Sequence, residues 1–415
     1  MKYILKMAFR NIGRNKRRTI LSSIAISIAV MIVLLMRGYI GGVVDAMFDA
    51  VTKIDAGHIK LEHSKYHDKE DMMPLEHKID GFDGGGYKQL IPVLESVKGV
   101  KTVAPRIKFG VLLSFNGKSR SALGMGINPT TEGKIISFGN IMVEGKYLEA
   151  DENAKTIIIG NALADRLGIK PGDKLTILAR TAYDSLRGMT FSVTGIFQYG
   201  ISSLDDRLFY IPIGSAARLL EMGDGVSELV LMVDKPENAE KIADEIRDKL
   251  QQHYVVVPWQ KQGGYLGLIR SIQPVYNIIY IGLLVLASTV IINTTMMVIY
   301  ERIREIGTIG ALGMTSGQIV LLFTIEAAIV SAIGSFLGTV VGGGLDLLLS
   351  IVGVDINALS GGSRNLMSTD IIYPRFDLLL LLWSFLFGVI IASAVAYIPA
   401  RRAAKVEPVE ALRSI

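Results

Sequence analysis

Three groups of residues in this chain have types and spacings that invite chemistry. His58, His63, His67 and His77 are interleaved with Asp68, Glu70 and Asp71, and imidazole with carboxylate is a zinc donor set. Their spacing matches no compact zinc pattern, so the segment reads as a solvated loop without a metal. Gly117-Lys118-Ser119 has the ending of a phosphate-binding loop, but G-x-x-x-x-G-K-[ST] needs a glycine where Leu112 stands, and Gly110 lies too far upstream. No G-x-S-x-G, H-E-x-x-H or pair of acids at catalytic spacing occurs. Neither intrinsic catalysis nor a cofactor held by this chain is expected.

The third group is Glu301-Arg302-Ile303-Arg304-Glu305-Ile306-Gly307-Thr308-Ile309-Gly310-Ala311-Leu312-Gly313-Met314. Glu301, Arg304 and Glu305 sit at helical distances, Ile303, Ile306 and Ile309 recur three apart, and Gly313 stands where a C-cap would. By physics alone this is either a short amphipathic helix at a membrane surface or a solvated turn with snorkelling charges. Glu326 follows inside an apolar stretch, where an ionisable group is costly; it either bonds near the cytoplasmic face or takes part in transport. Gly334, Gly338 and Gly342 form a small-xxx-small ladder suited to close helix packing within a bundle or across a dimer.

The elements that must position these residues are four uncharged or nearly uncharged stretches, roughly Thr19–Met36, Ile272–Tyr300, Gln318–Leu345 and Leu378–Ile398. Each reaches the ~18 to 20 residues that span ~30 Å of hydrocarbon. Hydrophobic residues at 50% and a mean hydropathy of +0.40, beside 20% charged residues, call for two solvents. Residues 41–270 hold 28 Lys+Arg against 30 Asp+Glu, whereas the first 18 residues carry seven basic side chains and no acid. The positive-inside rule places that N-terminus in the cytoplasm and the large polar segment outside. Met36-Arg37-Gly38-Tyr39-Ile40 offers no A-x-A-like cleavage site, so the first stretch reads as an uncleaved anchor. Four crossings return the C-terminus to the cytoplasm, consistent with Arg401, Arg402, Lys405 and Arg413 against Glu407 and Glu410. With no cysteine, the outer domain must fold on its core alone.

The expected fold is an α-helical membrane protein with four transmembrane helices in a 1+3 order and a large periplasmic α+β domain between helices 1 and 2. Its parts are a basic amphipathic N-terminus (1–18), a first helix (19–40), the periplasmic domain (41–270) and a second helix or stalk (271–300). Then come a cytoplasmic helix (301–316), a third helix (317–345), a periplasmic loop (346–376), a fourth helix (377–398) and a cytoplasmic tail (399–415). Strands are expected at Gly110–Phe115, Thr156–Ile159, Lys174–Leu178, Thr190–Phe197, Leu208–Ile213 and Glu228–Val233. Helices are expected at Tyr87–Ser96, Asn161–Leu167, Ser215–Leu220 and Asn238–Gln251, with a boundary between lobes near Ser121–Gly133. Ser271–Tyr300 has no charge and would run ~45 Å as a helix, so it tilts or rises out of the bilayer as a stalk. Pro274 marks either a hinge or simply a helix start.

Glu301 to Gly313 resembles the coupling helix of the FtsX-like, MacB/Lol-type ABC transporter permeases, whose pattern is close to E-R-x-R-E-I-G-x-x-R-A-L-G; Gly310 departs from it. Tyr397-Ile398-Pro399-Ala400-Arg401-Arg402-Ala403-Ala404 through Pro408-Val409-Glu410-Ala411-Leu412-Arg413 is similar to the family's C-terminal ending. Val193-Thr194-Gly195-Ile196-Phe197, Asp205 and Ala216–Leu220, with Trp259, resemble the lipoprotein-releasing LolC/LolE branch most. The resemblance implies that Glu301, Arg302, Arg304, Glu305, Ile306, Gly307, Ala311, Leu312 and Gly313 dock on a cytoplasmic ATPase dimer that binds ATP and Mg. It also implies a second permease subunit, same or paralogous, in a bacterial inner membrane. The task it implies is lifting lipoproteins from the outer leaflet to a periplasmic carrier. MacB-like efflux of peptides or small molecules, or FtsX-like mechanosignalling, are the alternatives within the family, and nucleic acid is no partner. Ile28, Ile32 and Leu35 on the first helix and Ile278, Ile281 and Val285 on the second either line a greasy substrate cavity or form surface that faces membrane lipid.

Overall fold

The computed structural model describes residues 2–14, 16–250, 254–355 and 371–404. The described residues fall into two compact units, one within 2–45, 271–354 and 371–404, the other within 46–270 with residue 355.

The polar unit is a mixed α/β domain built on ten strands: β1 Ile59–His63, β2 Val100–Phe115, β3 Lys118–Ile127, β4 Met142–Gly145, β5 Thr156–Gly160, β6 Lys174–Arg180, β7 Leu186–Phe197, β8 Leu208–Pro212, β9 Glu228–Val233 and β10 Tyr254–Pro258. Six of them close on themselves, pairing β2–β3–β8–β5–β7–β6 and back to β2. Strand β2 is long enough to serve two neighbours on one edge. Its end from Val111 to Ser114 pairs with β6, and its start from Val100 to Arg106 pairs with β9, which carries β1 and β10 outward. The β2–β3 hairpin turns at Asn116-Gly117, both with positive φ (47° and 76°), the pairing a two-residue primed turn requires. Lys118 and Ser119 therefore open a strand and line no phosphate loop. Ser121–Gly133 is no boundary either: it is the rest of β3 and a helix at Pro129–Ile135, whose N-cap Asn128 accepts from the Thr130 and Thr131 amides at 3.0 Å.

Odd-numbered side chains of β1 and β9, such as Ile59, Leu61, Leu229 and Leu231, join Ile107, Phe109 and Phe209 in the main core with the helices Asn161–Leu167, Ile213–Leu220 and Ala239–Lys249. The opposite face of the same strands is also buried, but with charge. Arg106, Lys108, Lys60, Glu62 and Glu228 are covered by Thr52–Ala56, by the helix Ser64–His67 and by Pro129–Ile135. Arg106, fully buried, spends all five donors: two on Glu132 (3.2 and 2.5 Å) and three on the carbonyls of Lys53, Ile54 and Asp55 (2.9 to 3.1 Å). Beside it, Lys108 meets Asp55 at 2.6 Å and Glu228 at 3.1 Å, and Lys60 meets Glu70 at 2.5 Å. Burial would lower both lysines, yet the surrounding carboxylates reverse this and hold them above the usual lysine range. Burial pushes the Glu228 carboxyl up, against both ammonium groups.

The histidine segment is thus structured where a solvated loop was expected. His58 Nδ1 accepts from the Val233 amide at 3.0 Å, His63 ends β1 and stacks on His77 at 5.6 Å, and His67 contacts Glu62 at 2.9 Å. Glu62, His67 and Glu70 come within 4.8 Å of one another, but the Lys60 ammonium already stands among them, so the cluster carries its own cation.

The apolar unit draws on four helices long and apolar enough to cross a membrane. In full they run Lys16–Val51, Gly264–Tyr300, Ser316–Val352 and Leu378–Ala403, preceded by a basic helix at Lys2–Arg14. The second long helix, 37 residues or ~55 Å, starts ten residues before Pro274, which is therefore interior to it and marks no helix start. The third extends to Val352, past the expected loop boundary, and so buries Asp346 against Gly38 of the first helix, with one carboxylate oxygen lacking a hydrogen bond. Thr315 and Gln318 cap its start reciprocally, and Asp377 caps the fourth by accepting from the Leu379 amide at 2.9 Å. The glycine ladder lies on the first helix. A Cβ at Gly334, Gly338 or Gly342 would stand 2.7, 2.5 or 3.2 Å from backbone of Ser23, Ser27 or Met31, a spacing that only missing side chains permit.

Candidate coupling site

After the second long helix the chain turns through Glu301 and Arg302 into a helix at Ile303–Ala311. One face is anchored. Ile306 packs with Ile319, Phe323, Ala396 and Ala400, and Gly307 is buried beside it. Arg302, 3% exposed, donates to Glu305 at 2.7 Å and to Glu326 of the third helix, its guanidinium 5.0 Å from the Phe323 ring centre. Asn11 of the basic N-terminal helix reaches Glu326 at 3.4 Å and Arg14 reaches Glu305 at 2.7 Å. A continuous polar chain therefore ties the N-terminal helix, the short helix and the third long helix together. Burial works against ionisation of Glu305, but the Arg302 and Arg14 guanidinium groups prevail and hold its carboxyl below the usual range.

The other face is turned outward. Arg304, Ala311, Leu312 and Gly313 are exposed, Leu312 at 83%, and Glu301 is exposed at the start. Gly313 takes φ of 95° just past the helix end, and the Gly313 and Met314 amides close back on Gly310 and Ile309. The segment thus presents a charged and apolar rim on an anchored base. The nine residues singled out by sequence divide accordingly: Arg302, Ile306 and Gly307 fasten, Glu305 bridges, and Glu301, Arg304, Ala311, Leu312 and Gly313 face outward. Sequence reasoning missed Arg302 as the partner of Glu326, Asn11 and Arg14 as members of the network, and Asp346 altogether. The i, i+3 pair Arg302–Glu305 was the available signal. The C-terminal motif is described as far as Ala404; Lys405–Arg413 lies outside the described residues.

The six apolar residues weighed as cavity lining or lipid-facing surface lie largely on the outside of this unit. Ile28, Ile32, Ile278, Ile281 and Val285 are 47 to 68% exposed and Leu35 is half-buried. One apolar recess of this unit, ≈ 200 Å³, is lined by neighbouring faces of these helices, including Val30 and Val33 of the first, Leu284, Ala287 and Ile291 of the second, and Trp383 and Phe387 of the fourth.

Comparison with known proteins agrees with this division. Residues 19–249 match the MacB-like periplasmic core domain and residues 277–408 the FtsX-like permease C-terminal domain. The lipoprotein-releasing system transmembrane protein LolC of Neisseria meningitidis is 23% identical over 344 residues, 79% of this chain and 81% of that protein. An uncharacterised ABC transporter permease of Methanocaldococcus jannaschii is 27% identical over 99% of this chain and 97% of its own length. The macrolide export ATP-binding/permease protein MacB of Bdellovibrio bacteriovorus is 24% identical over 77% of this chain and 48% of its own. With one profile covering more than half the chain and a second most of the remainder, the chain belongs to the MacB/FtsX-like family of ABC transporter permeases.

Proposed function

We propose that this permease works as one of a pair of membrane subunits in a bacterial inner membrane, driven by a cytoplasmic ATPase dimer that binds ATP and Mg. Its task in this reading is to lift acylated lipoproteins from the outer leaflet and pass them to a periplasmic carrier. The observation that supports the ATPase contact is the exposed, partly apolar rim at Ala311, Leu312 and Gly313 on a helix pinned by Arg302 and Ile306. The lipoprotein assignment is supported by the likeness to LolC and by the apolar character of the unit. Extraction of acyl chains costs ~0.8 kcal/mol per CH₂ exposed to water, so it requires both a nucleotide-driven stroke and a greasy path. The match to an exporter that carries its own ATP-binding part favours efflux as the second reading.

The test is reconstitution of the chain with its cognate ATPase and partner permease in liposomes containing a triacylated lipoprotein. ATP-dependent appearance of carrier-bound lipoprotein in the soluble fraction supports extraction. Normal ATP hydrolysis without release turns the assignment to efflux. Leu312→Asp should abolish ATPase association while leaving stability within about 0.5 kcal/mol of wild type, because the side chain is exposed. Undiminished association in this variant would remove the docking role from that rim.

A further inference from the structure

The apolar recess does not stand alone. Trp383 also lines a larger pocket of ≈ 520 Å³ whose walls carry Arg37, Asp45, Gln273, Asn277, Arg375 and Asp377. Three helices run through both. On the second long helix Tyr276, Tyr280, Leu284, Ala287 and Ile291 fall at helical spacing along one face, the first in the polar pocket and the rest in the recess. On the first helix Arg37 leads to Val33 and Val30, and on the fourth Leu380 leads to Trp383 and Phe387. The two spaces meet at Trp383 and succeed one another along the same three helices, a polar mouth followed by an apolar run.

Their dimensions and chemistry point to one ligand class. From Tyr276 to Ile291 a helix rises ~22 Å, the depth of one leaflet with its headgroups, half of ~40 to 45 Å. Tyr276, Tyr280 and Trp383 stand at the junction, where amphipathic rings mark a membrane interface. The two arginines are loosely held. Arg37 contacts Asn277 at 3.4 Å and lies 4.9 Å from the Tyr280 ring centre, while Arg375 meets Asp45 at 3.7 Å across two exposed side chains. Among the described residues these side-chain contacts are longer than the 2.7–3.2 Å of ordinary N–H···O bonds, and a guanidinium fork with donors to spare matches a phosphate bidentately. Asp45 and Asp377 bring the formal charge of the pocket to zero, which suits a headgroup carrying both a phosphate and an ammonium.

We propose that the groove between the first, second and fourth long helices binds one zwitterionic glycerophospholipid, its phosphate on Arg37 and Arg375 and an acyl chain along Val33, Leu284, Ala287 and Ile291. This rests on the membrane placement of the four helices, which resistance to carbonate extraction reads separately. It is independent of lipoprotein release, which the reconstitution measures.

Native mass spectrometry of the full-length chain, delipidated in detergent and titrated with phosphatidylethanolamine, phosphatidylglycerol, diacylglycerol or a tripalmitoylated lipopeptide, decides it. The expected result is one phosphatidylethanolamine per chain held against detergent, with diacylglycerol lost. Arg37→Gln and Arg375→Gln should each weaken retention about tenfold, the loss of one charge-assisted contact, and Ala287→Phe should fill the recess and abolish it. The arginine variants alter rim positions and keep the test alive if Ala287→Phe misfolds. Equal retention of diacylglycerol, preference for phosphatidylglycerol, displacement by equimolar lipopeptide, or unchanged retention in both arginine variants would each overturn the assignment.

Discussion

Two buried arginines, Arg106 in the polar unit and Arg302 in the apolar one, each face a buried glutamate, yet they are finished differently. Arg106 satisfies all five donors, and its partner Glu132 is as inaccessible as itself. Arg302 leaves one terminal nitrogen without a hydrogen bond, and its acids Glu326 and Glu305 are 10% and 37% exposed. Burying a guanidinium costs several kcal/mol unless its hydrogen bonds are complete. A closed network of this kind leaves no donor over, whereas the one at the helix junction holds its three helices with a donor to spare. The first acts as a strut that fastens Lys53–Asp55 to the sheet; the second is built as a joint between three helices.

The largest effect should come from the strut. Arg106→Met would strand Glu132 and three carbonyls and cost about 3–5 kcal/mol, measured by urea unfolding of the full chain through Trp259 in a Trp383→Phe background; Arg106→Met with Glu132→Leu should recover most of it. Stability unchanged by the single substitution would erase the distinction between the two arginines. Arg302→Met should cost less, about 1–3 kcal/mol, but should lower ATP-driven activity at least tenfold while amide exchange in β1, β2 and β9 stays at wild-type rates. Exchange rising in those strands would mean that the joint also serves the fold.

His67→Gln probes the wet edge of the polar-unit network. The hydrogen bond and charge of Glu62 raise the His67 pKa above its ordinary value despite partial burial. Folding therefore binds a proton, so this stabilisation is complete below about pH 6.5 and is lost as pH rises through the folded value. At 36% exposure it amounts to less than about 1 kcal/mol. His67→Gln should flatten the fall in stability as pH rises above about 6.5; a slope identical to wild type would assign the proton elsewhere. The smallest effect belongs to Arg14→Ala, whose ion pair with Glu305 is 60% and 37% exposed: below about 0.5 kcal/mol, with a thermal midpoint that hardly moves.

Sequence reading captured what periodicity and length encode. The four apolar stretches, the short helix after Tyr300 and the strand Glu228–Val233 sit where their patterns put them, because each is a local property. What escaped it depends on the third dimension. Ile59-Lys60-Leu61-Glu62-His63 alternates as a strand does, but its charged face looked solvated; only the fold shows Lys108 and Glu228 waiting opposite. Glu326 was legible as costly, yet its partner lies 24 residues away with a turn between. The cavity residues were chosen as apolar, and apolarity in a membrane helix does not say which side meets protein. Asp346 was lost to a helix end drawn about two turns too early.

The closed circuit β2–β3–β8–β5–β7–β6 bears on survival as well as shape. A strand in an open sheet can peel away by breaking one ladder, whereas each member of a ring is held along both edges. Unravelling must then begin at the outlying strands β10 and β4, which have a neighbour on one side only. A chain with no cysteine obtains in this way, by topology, the resistance to fraying and to proteases that a covalent crosslink would otherwise supply.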